Sequence, residues 1–92
     1  MSLLSAEKVQ QELKSLSGWK LDNKEIVRTY EFPDFVRAME FVRQVAEKAE
    51  AAGHHPDIDI RYNKVRLALV SHDAGGLTDR DIAMARSLNS LH

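Results

Sequence analysis

The chain has no cysteine among its 92 residues, two prolines, four glycines, six aromatic residues and no excess of either charge. Without cysteine there is neither a disulfide framework nor a thiolate metal site. Thirteen Lys and Arg against fourteen Asp and Glu give a formal net charge of −1. That balance removes the bulk electrostatic case for direct nucleic-acid binding or an anionic membrane surface. No unbroken apolar run is longer than Leu67 to Val70, far short of the ~20 residues of a spanning helix. The start, Met1-Ser2-Leu3-Leu4-Ser5-Ala6-Glu7-Lys8, lacks the basic and then apolar pattern of an export signal. A soluble cytoplasmic protein is expected, folded as one domain over residues 1–92. A chain this short buries roughly 60–70% of its unfolded surface, so its core is thin and an oligomer interface would add to it.

Three segments carry helical periodicity. Ser5 is placed as an N-cap, with Leu4 and Val9 as a hydrophobic staple, and Val9, Leu13 and Leu16 recur before Ser17-Gly18. After Pro33-Asp34, a stripe of Phe35, Ala38, Met39, Val42, Val45, Ala46 and Ala49 opposes a charged face, and Gly53 supplies the C-terminal cap. Phe35, Met39 and Phe41 at helical spacing suit core packing, with Phe41 also an interface candidate. Thr78 opens the third segment with Asp81 three positions on, a capping box with Asp in place of Glu, followed by Ile82, Ala85, Leu88 and Leu91.

Four strand-like stretches lie between the helices. Trp19–Leu21 and 25–32 flank an Asp22-Asn23-Lys24 turn, with Ile26, Tyr30 and Phe32 on one face. Ile58, Ile60 and Tyr62 alternate with Asp57, Asp59 and Arg61, the latter reading as a solvated face, and Val65, Leu67 and Leu69 follow Asn63-Lys64. The order α-β-β-α-β-β-α packs most economically as an α+β sandwich, a four-stranded antiparallel sheet with three helices on one face.

His54-His55-Pro56 is the chemically suggestive segment. The residue before a proline is pushed out of helical space, so His55 is extended and the long helix stops before it. With Asn63-Lys64 as a two-residue loop, Tyr62 pairs with Val65 and Ile58 with Leu69, which carries His55 opposite His72. Three histidines then converge at one end of the sheet, with Glu50 one helical turn before His54. Taken singly, each histidine is more often a cap or surface residue. A zinc site is disfavoured because adjacent extended residues point to opposite faces, and no H-E-x-x-H pattern is present. Gly75-Gly76 lacks any phosphate-loop pattern, Asp79 and Asp81 suit the helix dipole in a first turn, and Trp19 reads mainly as a core or rim anchor.

Glu50-x-x-x-His54-His55-Pro56, then five residues to Tyr62, nine to His72 and eight to Asp81, resembles the pterin-4a-carbinolamine dehydratase signature. Gly18-Trp19, Phe32-x-Asp34-Phe35 and Gly76-Leu77-Thr78-x-x-Asp81 also look like family positions, so the resemblance spans nearly the whole chain. Where family members commonly carry an acidic or polar residue before the histidine pair, this chain has Gly53.

The resemblance implies a hydro-lyase that dehydrates 4a-hydroxytetrahydrobiopterin to quinonoid dihydropterin and so recycles the pterin. Water leaves carbon 4a and a ring-nitrogen proton is lost, which needs a general acid and a general base. Imidazole, with an ordinary pKa near 6.5, serves either role. No metal or other cofactor is implied. Matched positions make His54 and His72 the acid/base pair, with His55 orienting the pterin or sharing proton transfer and Glu50 polarising His54. Pro56, Asp81 and Trp19 join His55 as substrate-binding candidates. A homodimer or homotetramer is implied. The alternative is a non-catalytic assembly cofactor whose helices bind a partner protein.

Overall fold

The computed structural model describes residues 2–92. Three side-chain caps start the three helices. Ser5 Oγ accepts from Lys8 N (3.1 Å) at α1 (Ala6–Leu13), and Asp34 Oδ1 accepts from Arg37 N (2.8 Å) at α2 (Phe35–Ala52). The expected box forms at α3 (Asp79–Asn89), where Thr78 and Asp81 each satisfy the other's backbone. Gly53 ends α2 in the left-handed conformation (φ 64°), which a residue with a Cβ adopts at a cost.

The strands are β1 (Lys20–Asp22), β2 (Glu25–Glu31), β3 (Asp57–Arg61) and β4 (Lys64–Leu69). All pair antiparallel, in the order β1-β2-β4-β3. The chain is thus the α+β fold that its periodicities predict. Alternate residues Ile26 and Tyr30 of β2 and Val65, Leu67 and Leu69 of β4 join one core with Val9, Leu16, Ala38, Phe41, Val45, Ile82, Ala85 and Leu88. Burying so many aliphatic side chains at roughly 25 cal/mol per Å² is the main force closing helices onto sheet.

Three readings of the sequence are corrected. The β3–β4 turn is Tyr62-Asn63, because the β2–β4 ladder runs on to Glu31 opposite Lys64 and so takes Lys64 out of the turn. Asn63 is pinned to the end of β2, its O accepting from Phe32 N (2.9 Å) and its Nδ2 donating to Phe32 O (2.8 Å). Positive φ falls on Tyr62 (51°) instead. Ile58 therefore pairs with Leu67 rather than Leu69. A two-residue shift preserves which face each side chain takes but changes its partner. Continued past β3, it puts Val70, not His72, opposite His55, and Ser71 opposite His54.

The second correction concerns α2. Its buried stripe is Ala38, Phe41, Val45 and Ala49, whereas Phe35 and Met39 are exposed along with Val36. Phe41 packs on Tyr30 (ring centroids 4.6 Å) and Phe32 (5.0 Å), an aromatic contact that rotates the helix about its axis. Third, α1 stops at Leu13, and Leu16 reaches the core through hydrogen-bonded turns instead.

A polar knot closes the end of the fold where α3 finishes. Asn89 Oδ1 receives Trp19 Nε1 (2.8 Å), Tyr30 Oη (2.8 Å) and Arg28 Nη1 (2.6 Å), while Asn89 Nδ2 donates to Ser17 O (3.1 Å). Arg28 shares the core-facing side of β2 with Ile26 and Tyr30, its guanidinium 4.2 Å from the Tyr30 ring centroid. Gly18 is required beside it, since a Cβ there would lie 2.5 Å from Arg28 Nε at φ 84°.

Asn89→Ala strands three donors, two of them on buried side chains, and is expected to lower unfolding free energy by about 1–3 kcal/mol in urea titrations. Burial holds the Tyr30 hydroxyl above its ordinary value, against the pull of Arg28. The folded state then keeps a proton that the unfolded chain releases. This contribution is intact below the ordinary tyrosine value near pH 10 and is lost as pH rises through the raised one. Thermal unfolding from pH 9 to 11.5 should show a decline that is shallower in Tyr30→Phe.

Candidate active site

The site grows from a buried carboxylate. Asp81, in the first turn of α3, is fully inaccessible and accepts three hydrogen bonds. Its Oδ2 takes Thr78 N (2.9 Å) and Ser71 Oγ (2.9 Å), and its Oδ1 lies 2.6 Å from His54 Nε2. A buried carboxylate oxygen needs such donors to offset lost hydration. Because Ser71 gives its proton to Asp81, Thr78 Oγ1 donates to Ser71 Oγ (2.8 Å) and accepts from Arg80 N (3.3 Å). The chain of bonds polarises toward the carboxylate. With Asp81 accepting, the bond places a His54 proton on Nε2 and leaves Nδ1 outside the knot.

His54 occupies the α2–β3 junction that Gly53 creates, and only 8% of its surface is exposed. It lines a cleft of about 390 Å³ between the end of α2 (Lys48, Ala51, Ala52) and one side of α3 (Arg80, Ala83, Met84, Ser87). That volume falls at the small end of ligand sites. Its lining holds two permanent cations, Lys48 and Arg80, and no carboxylate.

The other candidates are arranged differently. Glu50 does not reach His54: its Oε2 lies 2.5 Å from His55 Nε2, and both side chains are largely exposed. Asp81, and not Glu50 as the resemblance implies, pairs with His54, since His54 turns inward to α3 while His55 follows the α2 surface. His72 is exposed on the 71–76 turn, which Ser71 and Gly76 close by mutual backbone bonds. It lines a separate groove with Asp22, Asn23, Lys24 and Glu25 around the β1–β2 turn. The three rings therefore do not share one cleft within this chain. His72 is joined to His54 through its neighbour Ser71 and Asp81. Pro56 is buried just before β3. Trp19 is not at this cleft but in the core beneath Asn89.

The sequence reading missed Arg80. It donates from Nη2 to Asp73 Oδ1 (2.6 Å), so that the turn carrying His72 is fastened to α3. That hydrogen bond holds the Asp73 carboxyl below its ordinary range. The signal was present in the sequence, as an acid and a base seven residues apart across a Gly-Gly turn before a cap.

Residues 2–91 match the family model described as pterin 4 alpha carbinolamine dehydratase. The chain belongs to that family. A relative from Acidobacterium capsulatum is 62% identical over 99% of both chains, and one from Chloroflexus aurantiacus is 53% identical over 99% of this chain and 98% of its own. Both carry the name "Putative pterin-4-alpha-carbinolamine dehydratase". Among solved structures, a transcriptional coactivator/pterin dehydratase from Brucella melitensis superposes with a TM-score of 0.93 at 35% identity, over 98% of each chain. A pterin dehydratase-like protein identified as a RuBisCO assembly factor in the alpha-carboxysome reaches a TM-score of 0.65 at 19% identity, over 79% of this chain and 84% of its own. At that distance it shows a shared fold.

The two carboxylate–imidazole pairs should respond unequally to mutation. Asp81→Ala removes the acceptor of three buried donors and is expected to cost about 2–4 kcal/mol in chemical denaturation. Glu50→Gln disrupts an exposed pair and should stay within ~0.5 kcal/mol of the parent protein.

Proposed function

We propose that this chain is a pterin-4a-carbinolamine dehydratase acting on 4a-hydroxytetrahydrobiopterin, with His54 as a principal proton-transfer group. The observation that carries the reading is the buried His54–Asp81 pair at the end of the α2–α3 cleft. In the reaction the C4a–O bond breaks with its electron pair leaving on oxygen, which takes a proton and departs as water. A ring nitrogen gives up its proton to a base, and the freed pair forms the carbon–nitrogen double bond. Atoms and charge balance without a redox partner. His54 Nδ1 supplies or receives one proton, and Asp81 steadies the imidazolium that forms when it receives one.

The second proton-transfer role falls to His72 on the family resemblance alone, since within one chain His72 lines a separate groove on the turn held by Asp73–Arg80 and Ser71. His55, oriented by Glu50, is assigned to positioning the pterin, with Pro56 fixing its backbone. The homo-oligomer that family membership suggests has its candidate contact surface in exposed Phe35, Val36 and Met39 of α2 and Ile58 of the edge strand β3. A partner-binding role would use such surfaces and is compatible with catalysis. The Brucella protein is named as both a coactivator and a dehydratase.

The test is the rate at which 4a-hydroxytetrahydrobiopterin, generated by a coupled hydroxylase, disappears above its spontaneous decay. His54→Gln keeps an amide donor for Asp81 while removing proton exchange, and is expected to lower the enzymatic rate by at least about 10²-fold. His72→Ala should do the same. A wild-type protein with no acceleration overturns the reading, and full activity in His54→Gln overturns the role of that residue.

A further inference from the structure

Ser71 serves two parts of the fold through different atoms. Its backbone closes the turn that carries His72, with Ser71 N donating to Gly76 O (3.0 Å) and Gly76 N to Ser71 O (3.2 Å). Its side chain, buried just past β4, donates to Asp81 Oδ2 (2.9 Å). The turn needs only the backbone bonds, and the cap of α3 needs only Thr78 N on Oδ2 (2.9 Å). An alanine at position 71 would preserve both. The hydroxyl is an addition to them, and the bond that Thr78 Oγ1 donates to it (2.8 Å) directs its proton at the carboxylate.

We infer that Ser71 is a positioning residue acting on His54 through Asp81, its hydroxyl holding the carboxylate in place and limiting how tightly the imidazole keeps a proton. The use of this in catalysis rests on the dehydratase reading. Asp81 receives Ser71 and Thr78 on Oδ2 and lies 2.6 Å from His54 Nε2 through Oδ1. A donor on one carboxylate oxygen disperses the negative charge that the other offers. Without it the anion depends more on an imidazolium partner, and the ring releases its proton less readily. A group that takes up and gives back a proton in each turnover is slowed when release is held back. The other charged groups lining the His54 cleft are Lys48 from α2 and Arg80 from α3. Glu50 pairs with His55 at the surface, and His72 lies along a separate groove.

NMR titration of the His54 ring from pH 5 to 9 reads this coupling without any substrate. Ser71→Ala should displace the titration to higher pH by about half a pH unit or more. Ser71→Cys, which keeps the volume and weakens the donor, should displace it in the same direction by less. Asn89→Ala loosens α3 at its other end and is the control for destabilisation; its His54 should titrate within about 0.2 pH unit of the parent. In the dehydratase assay the pH of maximal kcat should rise in Ser71→Ala, with KM within about threefold of the parent. A folded Ser71→Ala or Ser71→Cys whose His54 titrates as in the parent overturns the coupling, as does an equal displacement in Asn89→Ala. A displaced titration with an unmoved kcat profile overturns the part of Ser71 in the reaction. A parent protein that accelerates nothing overturns the dehydratase reading, while the titration still decides whether Ser71 acts on His54.

Discussion

One carboxylate ties the chain together where three of its segments meet. Asp81 caps the first turn of α3, holds Ser71 just past the end of β4, and fixes His54 at the junction of α2 and β3. Each of those segments arrives by a different route through the sequence. A buried anion enforces their meeting because any arrangement that removes a donor leaves desolvated charge. The His54 ring is thus placed by the same bonds that start the last helix.

The other end of α3 is fixed by a neutral counterpart. Asn89 gathers Trp19, Arg28 and Tyr30 onto one amide oxygen, so that the helix is tied to the sheet at its last turn as it is at its first. Between the two knots, Ile82, Ala85 and Leu88 bury the inward side, while Ala83 and Ser87 lie along the cleft. A helix held at both ends makes a rigid wall for the cleft, which leaves little ordering for a ligand to impose.

The caps and alternations were readable in the sequence because they are local. Ser5, Asp34, Gly53 and the Thr78–Asp81 box act within one turn, and Ile26, Tyr30, Val65, Leu67 and Leu69 declare their face by period alone. What was misread depended on partners distant in sequence. The β3–β4 turn is set by β2, through Glu31 opposite Lys64 and Phe32 against Asn63. The roll of α2 is set by Phe41 reaching Tyr30 and Phe32. For the candidate site, the resemblance set Glu50 beside His54, whereas Asp81 is the carboxylate that reaches it. Glu50 stands at the correct interval along α2, yet the left-handed Gly53 turns the chain and sends His54 inward past it.

The buried pair bears on whether the fold serves chemistry or only assembly. Replacing a buried ionic or polar cluster by well-packed apolar residues is often neutral or stabilising, so stability alone gives little reason for one. Thr78 with an ordinary capping partner would start α3 equally well. His54 adds nothing to that cap, and its partly desolvated ring imposes the demand for a partner at Asp81. A protein-binding scaffold would be relieved of that demand by an aliphatic side chain at position 54 and a solvent-facing cap at position 81. In the proposed dehydratase, an imidazole held through Nε2 leaves Nδ1 for the proton transfer, which gives the buried pair a use that a scaffold does not have.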